Sequence, residues 1–258
     1  MDATQGKFVW YELMTTDGAA AAKFYADVVG WKAEKSPMPD MDYTLFYVGK
    51  DQVAGAFVLS KEARQGGAPV AWVGYIAVDD VDKSAAALKA AGGTVYRGPD
   101  DIPHVGRFAM VADPQGAVFA LFKSANAGQV SPADVTKPGH GGWHELHAGD
   151  GAAVFPFYEK LVGWKKLDTM DMGPAGPYQM FGLGSGGNAI GGVMTKSPQQ
   201  PAPSWIYYFN VAGIEAAVGK VKAGGGQIVS PPSEVPGGQW IVQGIDPQGA
   251  HFALVGAK

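Results

Sequence analysis

The sequence predicts an α+β fold: two tandem copies of one small domain, each made of two βαβββ units. Three observations carry this. Trp10, Glu12 and Leu13 return at one fixed separation as Trp143, Glu145 and Leu146, and the run Asp113-Pro114-Gln115-Gly116 returns as Asp246-Pro247-Gln248-Gly249. Within each copy, strand-like alternation gives way to helical spacing and back again, twice. The 38 glycines and 18 prolines suit many short strands joined by tight turns.

The elements follow in order. Phe8 to Thr15 alternates like a strand, and Asp17 is a suitable N-cap for the helix after it. Ala21, Phe24 and Val28 share one helical face, and Gly30 suits the stop. Strands are expected at Trp31–Glu34, Thr44–Val48 and Val53–Leu59. The second unit opens with a strand over Ala71–Val78 and a cap near Asp79-Asp80. Its helix aligns Val81, Ala85 and Leu88 and ends at Gly92-Gly93. Strands near Thr94–Tyr96, Arg107–Ala112 and Val118–Phe122 complete it, with Asp-Pro-Gln-Gly as a type I turn between the last two. The second copy repeats the plan: Asp150, Phe157-Tyr158, Gly163-Trp164, Trp205, Tyr208 and Val211 echo Asp17, Phe24-Tyr25, Gly30-Trp31, Trp72, Tyr75 and Val78. Pro156 falls inside the third helix, where it should kink the helix or delay its start. The copies occupy residues 1–124 and 141–258, and the Gly-, Pro- and Ala-rich stretch 125–140 reads as a linker.

Composition removes several function classes. The formal charge of −4, without a basic run, argues against a nucleic-acid partner. No stretch approaches the ~20 apolar residues of a membrane helix, and Met1 to Lys7 holds no apolar signal core. A cytoplasmic protein is the expectation. The chain has no cysteine, hence no disulfide, thiol nucleophile or iron–sulfur cluster. No nucleophile elbow, phosphate-cradling loop or dinucleotide fingerprint occurs.

Together, Asp17…Phe24-Tyr25…Gly30-Trp31, Val78-Asp79-Asp80-Val81 with its Ala-rich helix and Gly-Gly stop, and Asp113-Pro114-Gln115-Gly116 resemble the vicinal oxygen chelate superfamily of glyoxalases, bleomycin-resistance proteins and dioxygenases. Trp-x-Glu-Leu in the first strand of each half is similar to its tandem glyoxalase-like subgroup. The resemblance spans nearly the whole chain. It implies that two units set their first strands side by side, and that each mixed sheet curls into a cup with the helices outside. It also locates the usual metal ligands, and there this chain departs from the family. The first-strand His position holds Trp10 and Trp143, the second-unit His position holds Val73 and Ile206, and the Glu position holds Ala120 and Ala253. Indole, isopropyl and methyl groups do not bind a divalent cation, so no metal is expected at the usual positions.

Glu12 and Glu145 stand out among the remaining residues. Each shares a strand face with the Trp two residues before it. If that face lines the cup, each carboxylate needs a partner. One reading makes it a general base or a ligand-recognition group; the competing reading makes it a structural group fixed by amides or by an Arg. Arg107, aligned with Gln239 in the second copy, is the expected partner of Glu12. The second copy adds His147, where the first has Met14, and His251, where the first has Val118. If units pair within each half, Glu145 and His251 come to one level, as an acid–base pair or, with His147, as a displaced metal site. His104, His140 and His144 read as loop or outward-facing residues. Trp10, Tyr43, Tyr75 and Phe119, and in the second half Trp143, Tyr178, Tyr208 and Phe252, are candidate cup aromatics, although strand parity disfavours Phe119 and Phe252.

The leading expectation is therefore metal-independent binding of a small organic molecule, with Trp10, Glu12, Tyr75, Arg107, Trp143, Glu145, His147 and Tyr208 as binding residues. Glu145, His251 and Glu12 are the catalytic candidates if the chain is an enzyme. Alternatives are a metal-dependent lyase or dioxygenase with a non-standard site in the second half, and a non-catalytic, surface-acting protein with closed cups. Four units in one chain complete the fold without a partner, so a monomer or homodimer is expected.

Overall fold

The computed structural model describes residues 4–37, 42–126, 136–184 and 187–258. The first half runs β1 (Phe8–Thr15), α1 (Gly18–Val29), β2 (Lys32–Lys35), β3 (Tyr43–Val48), β4 (Asp51–Val58), α2 (Lys61–Gln65), β5 (Ala71–Ala77), α3 (Val81–Ala90), β6 (Thr94–Ile102), β7 (Gly106–Ala112) and β8 (Val118–Ser124). The second runs β9 (Gly141–Ala148), α4 (Gly151–Val162), β10 (Lys165–Asp171), β11 (Pro177–Gly182), β12 (Gly191–Thr195), β13 (Ser204–Gly213), α5 (Ile214–Ala223), β14 (Gln227–Glu234), β15 (Trp240–Ile245) and β16 (His251–Ala257). Among the described residues, no helix is long and apolar enough to cross a membrane.

Each half contributes one curled, mixed, eight-stranded sheet, ordered β2-β3-β4-β1-β5-β8-β7-β6 and β10-β11-β12-β9-β13-β16-β15-β14. The first strands of the two βαβββ units, β1 with β5 and β9 with β13, are neighbours. β1 runs parallel to β4, and β9 to β12. The hairpins β3–β4 and β11–β12 are antiparallel.

The helices begin and end where the sequence says. Asp17 accepts from the Ala20 amide, and Gly30, at φ 90°, closes α1 in the left-handed conformation. Asp150 and Gly163 do the same for α4. Pro156 does not delay α4, which spans 12 residues as α1 does. Pro156 and the residue four before it, Ala152, are exposed, so the carbonyl that loses its donor faces water. The short α2, capped by Ser60, lacked a periodic signal in the sequence.

By packing, the described residues fall into two compact bodies, each drawing on both halves and bounded as follows. One holds Met1–Val9, Gly74–Pro132 and His144–Ile206; the other holds Trp10–Val73, Ala133–Trp143 and Tyr207–Lys258. Each is centred on the same buried relay. In the second body Trp72 Nε1 donates to Tyr25 Oη at 2.8 Å, and that hydroxyl donates to Asp246 Oδ2 at 3.0 Å. The other oxygen of Asp246 accepts the amides of Gln248 and Ala250 and so pins the Asp-Pro-Gln-Gly turn. In the first body Trp205, Tyr158 and Asp113 form the equivalent chain, with Asp113 holding Gln115 and Ala117. Trp31 and Trp164 complete the pattern by donating to the carbonyls of Gly139 and Gly6. Most of the repeated aromatic motifs are thus the seams of the fold.

Candidate functional site

Alternation along β1 and β9 sorts their side chains into two faces. Tyr11, Leu13 and Thr15 are buried, while Trp10, Glu12 and Met14 are half-buried. On β9, His144, Leu146 and Ala148 are fully packed, whereas Trp143 and His147 are half-buried and flank Glu145, which is 8% exposed. The more open face of each strand therefore carries an indole and a carboxylate two residues apart.

Register aligns the two halves here. Glu12 sits opposite Gly55 on β4, and Leu45 lies opposite Gly55 on β3. Met14, Phe57 and Tyr43 form the next row. In the second half the rows are Glu145, Gly192, Met180 and His147, Met194, Tyr178, the last by extension of the β11–β12 ladder. The glycines explain the geometry. A Cβ at Gly55 would overlap the ring of Tyr43, and one at Gly192 would overlap that of Tyr178. Each tyrosine lies across a glycine so that its hydroxyl reaches the glutamate in the adjoining row.

Tyr178 Oη donates to Glu145 Oε2 at 3.0 Å. The other carboxylate oxygen faces His147 Nε2 at 2.7 Å. In the first half Tyr43 is hydrogen-bonded to Glu12 and accepts from Trp10 Nε1 at 3.1 Å. Burial, then the charge of Glu12, pushes the Tyr43 phenol well above its ordinary range. It is a donor at physiological pH. For His147, burial acts downward, but the hydrogen bond and charge of Glu145, with help from Gln200, outweigh it and raise the pKa.

Several sequence expectations are corrected. Arg107 has carboxylate partners in its own body: its guanidinium is bidentate to Asp82 and also reaches Asp101. Its counterpart is not Gln239. Arg107 pairs with Lys123 and Trp240 with Gly256, so Trp240 holds the matching position. His140 and His144 are buried, at 7% and 2% exposure. His144 stacks on Phe8 at 3.9 Å and bonds the Ile190 carbonyl through Nδ1, and burial lowers its pKa to about 4. His104 is exposed, as expected.

Tyr75 and Tyr208 are 4% and 1% exposed; Tyr75 packs near Phe108 and Phe122, and Tyr208 accepts from Gln243 Nε2 at 2.7 Å. Phe119 and Phe252 pack against Tyr158 and Tyr25, in the relay cores, in keeping with their parity. His251 opens β16 with its side chain exposed; partial burial lowers its pKa against an opposing pull from Asp246.

Val73, Ile206, Ala120 and Ala253 are buried hydrocarbon side chains with no donor atom for a metal. Among the described residues, no three or more His, Asp or Glu gather into a group that could hold a metal ion. A cleft of about 380 Å³ lies beside the start of α1, lined by Asp17, Ala22, Glu34, Thr44 and Val58 among others. Thr44 and Val58 alternate with Tyr43 and Phe57, so this cleft lies on the face opposite Glu12. Asp17 is engaged there as a helix cap, and the cleft contains none of the candidate residues.

The model of the glyoxalase/bleomycin resistance protein/dioxygenase superfamily matches residues 7–121 and 141–254. A Mycobacterium bovis protein named as a glyoxylase (CFP32) is 32% identical over 255 residues, covering 97% of this chain and 95% of that protein. The anthracycline biosynthesis protein DnrV of Streptomyces peucetius is 30% identical over 266 residues, covering 97% and 93%. Among solved structures, the Mn(II)-bound glyoxalase from Novosphingobium aromaticivorans superposes with a TM-score of 0.65 at 17% identity, covering 98% of this chain and 82% of that one. The 2,3-dioxygenase LapB from Pseudomonas sp. KL28 does so with 0.65 at 13%, covering 99% and 94%.

Proposed function

Because the chain belongs to the glyoxalase/bleomycin resistance protein/dioxygenase superfamily, we propose that it binds a small organic molecule on its two carboxylate-bearing sheet faces, without a metal at the family's usual positions. The observation that carries this reading is the repeated constellation of a glutamate held by a tyrosine laid across a glycine, with a tryptophan two residues before it. A carboxylate steadied by a tyrosine hydroxyl keeps lone pairs for a ligand hydroxyl or N–H, and the adjoining indole offers a flat apolar wall. A relative named as an anthracycline biosynthesis protein is compatible with a small organic ligand.

The second reading is a metal-dependent lyase or dioxygenase, favoured by relatives named as glyoxylase, Mn(II)-bound glyoxalase and dioxygenase. Elemental analysis of protein loaded in turn with nickel, zinc, iron and manganese separates the two. The binding reading expects no stoichiometric metal, together with ligand-induced thermal stabilisation that Glu145→Ala or Glu12→Ala reduces. A stoichiometric metal that Glu145→Ala releases would replace it with the enzyme reading.

A further inference from the structure

His147 has a hydrogen-bond acceptor on each ring nitrogen. Nε2 faces Glu145 Oε1 at 2.7 Å and Nδ1 faces Gln200 Oε1 at 2.8 Å. A neutral imidazole carries one N–H and satisfies one of these; the imidazolium satisfies both. The Gln200 amide is held against turning its NH2 to the ring, because Nε2 is engaged by Ser204 Oγ at 2.9 Å and the Ala202 carbonyl at 3.2 Å. The segment is braced as well: Lys196 Nζ donates to the Gln200 backbone carbonyl at 2.6 Å, and the Gln200 backbone N–H donates to the Ser197 carbonyl at 3.0 Å. The side chains of His147 and Glu145 are 16% and 10% exposed, so water screens the pair little. The first half has Met14 at this register position.

We propose that Gln200 is the specificity-determining residue of the second-half face: it holds His147 as a cation against Glu145, so this face takes an uncharged hydroxyl-bearing ligand in preference to an ammonium ligand. The inference rests on the binding role proposed above. An incoming ammonium meets a carboxylate whose charge is already balanced, with a second cation beside it. A hydroxyl meets no such opposition and still finds an accepting carboxylate. Among the described residues, the polar and charged groups that face His147 or its partners include Glu145 on β9, Tyr178 on β11 acting through Glu145, Gln200 and Ser204, and Lys196 on the Gln200 carbonyl.

The test is NMR of the full chain, following the His147 ring through a pH titration and the methyls of Met180 and Met194 as benzyl alcohol or benzylammonium is added. In the wild type we expect a protonated ring at neutral pH and benzyl alcohol bound about tenfold more tightly than benzylammonium. Gln200→Leu lowers the ring's titration midpoint and abolishes the preference, whereas Gln200→Glu raises the midpoint. A Gln200 segment that had merely unfolded would move both variants the same way. A neutral ring at neutral pH in the wild type, or benzylammonium bound as tightly as the alcohol, overturns the inference. A protonated ring with no methyl response to either probe refutes the binding role of this face, and the ligand preference with it, while the titration still reports on Gln200.

Discussion

Replacing Gly192 with alanine tests whether the tyrosine–glutamate geometry depends on a missing side chain. On an unobstructed strand this change should help slightly, since alanine restricts the unfolded chain by about 0.4–1 kcal/mol. Here the new methyl would occupy the space of the Tyr178 ring. Either the ring stays and the sheet strains, at about 1–3 kcal/mol, or it leaves and Glu145 loses a hydrogen bond worth about 1.5–3 kcal/mol. The protein takes the cheaper route, so after the alanine gain the net destabilisation should be about 1–2 kcal/mol. Urea unfolding followed by tryptophan fluorescence reads this directly, because Trp164 and Trp205 belong to the same compact body. The decisive comparison is the double-mutant cycle with Tyr178→Ala. Once the ring is gone, Gly192→Ala should cost nothing or stabilise. An equal cost in both backgrounds would show that the glycine serves something other than the tyrosine.

Three further outcomes are expected. Burial lowers the folded His144 pKa to about 4 from an ordinary 6.5, which is worth about 3 kcal/mol. The unfolded chain gains the proton first, so stability should fall as pH drops from 6.5 toward 4; His144→Asn should flatten that limb of the urea midpoint plotted against pH. Asp246→Ala strips acceptors from Tyr25 Oη and from the Gln248 and Ala250 amides, which at about 1–3 kcal/mol per buried donor should cost at least about 3 kcal/mol by calorimetry. Gly219 is exposed within α5 with nothing where its Cβ would lie, so Gly219→Ala should raise stability by about 0.5–1 kcal/mol.

The repeat made the fold legible, because motifs at one spacing fix element order without any contact being known. Glu12 and Glu145 were legible for the same reason, together with strand parity. Their tyrosine partners were harder to align: Tyr43 and Tyr178 do not share the common spacing, since the stretch from Trp164 to Tyr178 is longer than that from Trp31 to Tyr43 and the difference is recovered farther on. The roles of Gly55 and Gly192 come from the tyrosine ring that lies across each, which no sequence pattern announces. His144 was misread because polarity suggested exposure, whereas β9 turns it to the packed face against Phe8. Gln200 sits in a connection without periodicity, and its role comes from hydrogen bonds that no pattern announces.

The reciprocal buckles have a consequence for how this chain can change over time. Tyr25 of the first half fastens the Asp246 turn of the second, and Tyr158 of the second fastens the Asp113 turn of the first. Each half therefore donates a clasp and receives one. A cut in the peptide between them would leave two fragments still gripping one another, and either half alone would own an unmatched clasp that only another copy could close. Neither half is thus a separable inheritance. A substitution at one of these hydrogen bonds is felt in the other half's turn, so the two halves are coupled through their turns, while the open faces differ, with Met14 in one and His147 in the other.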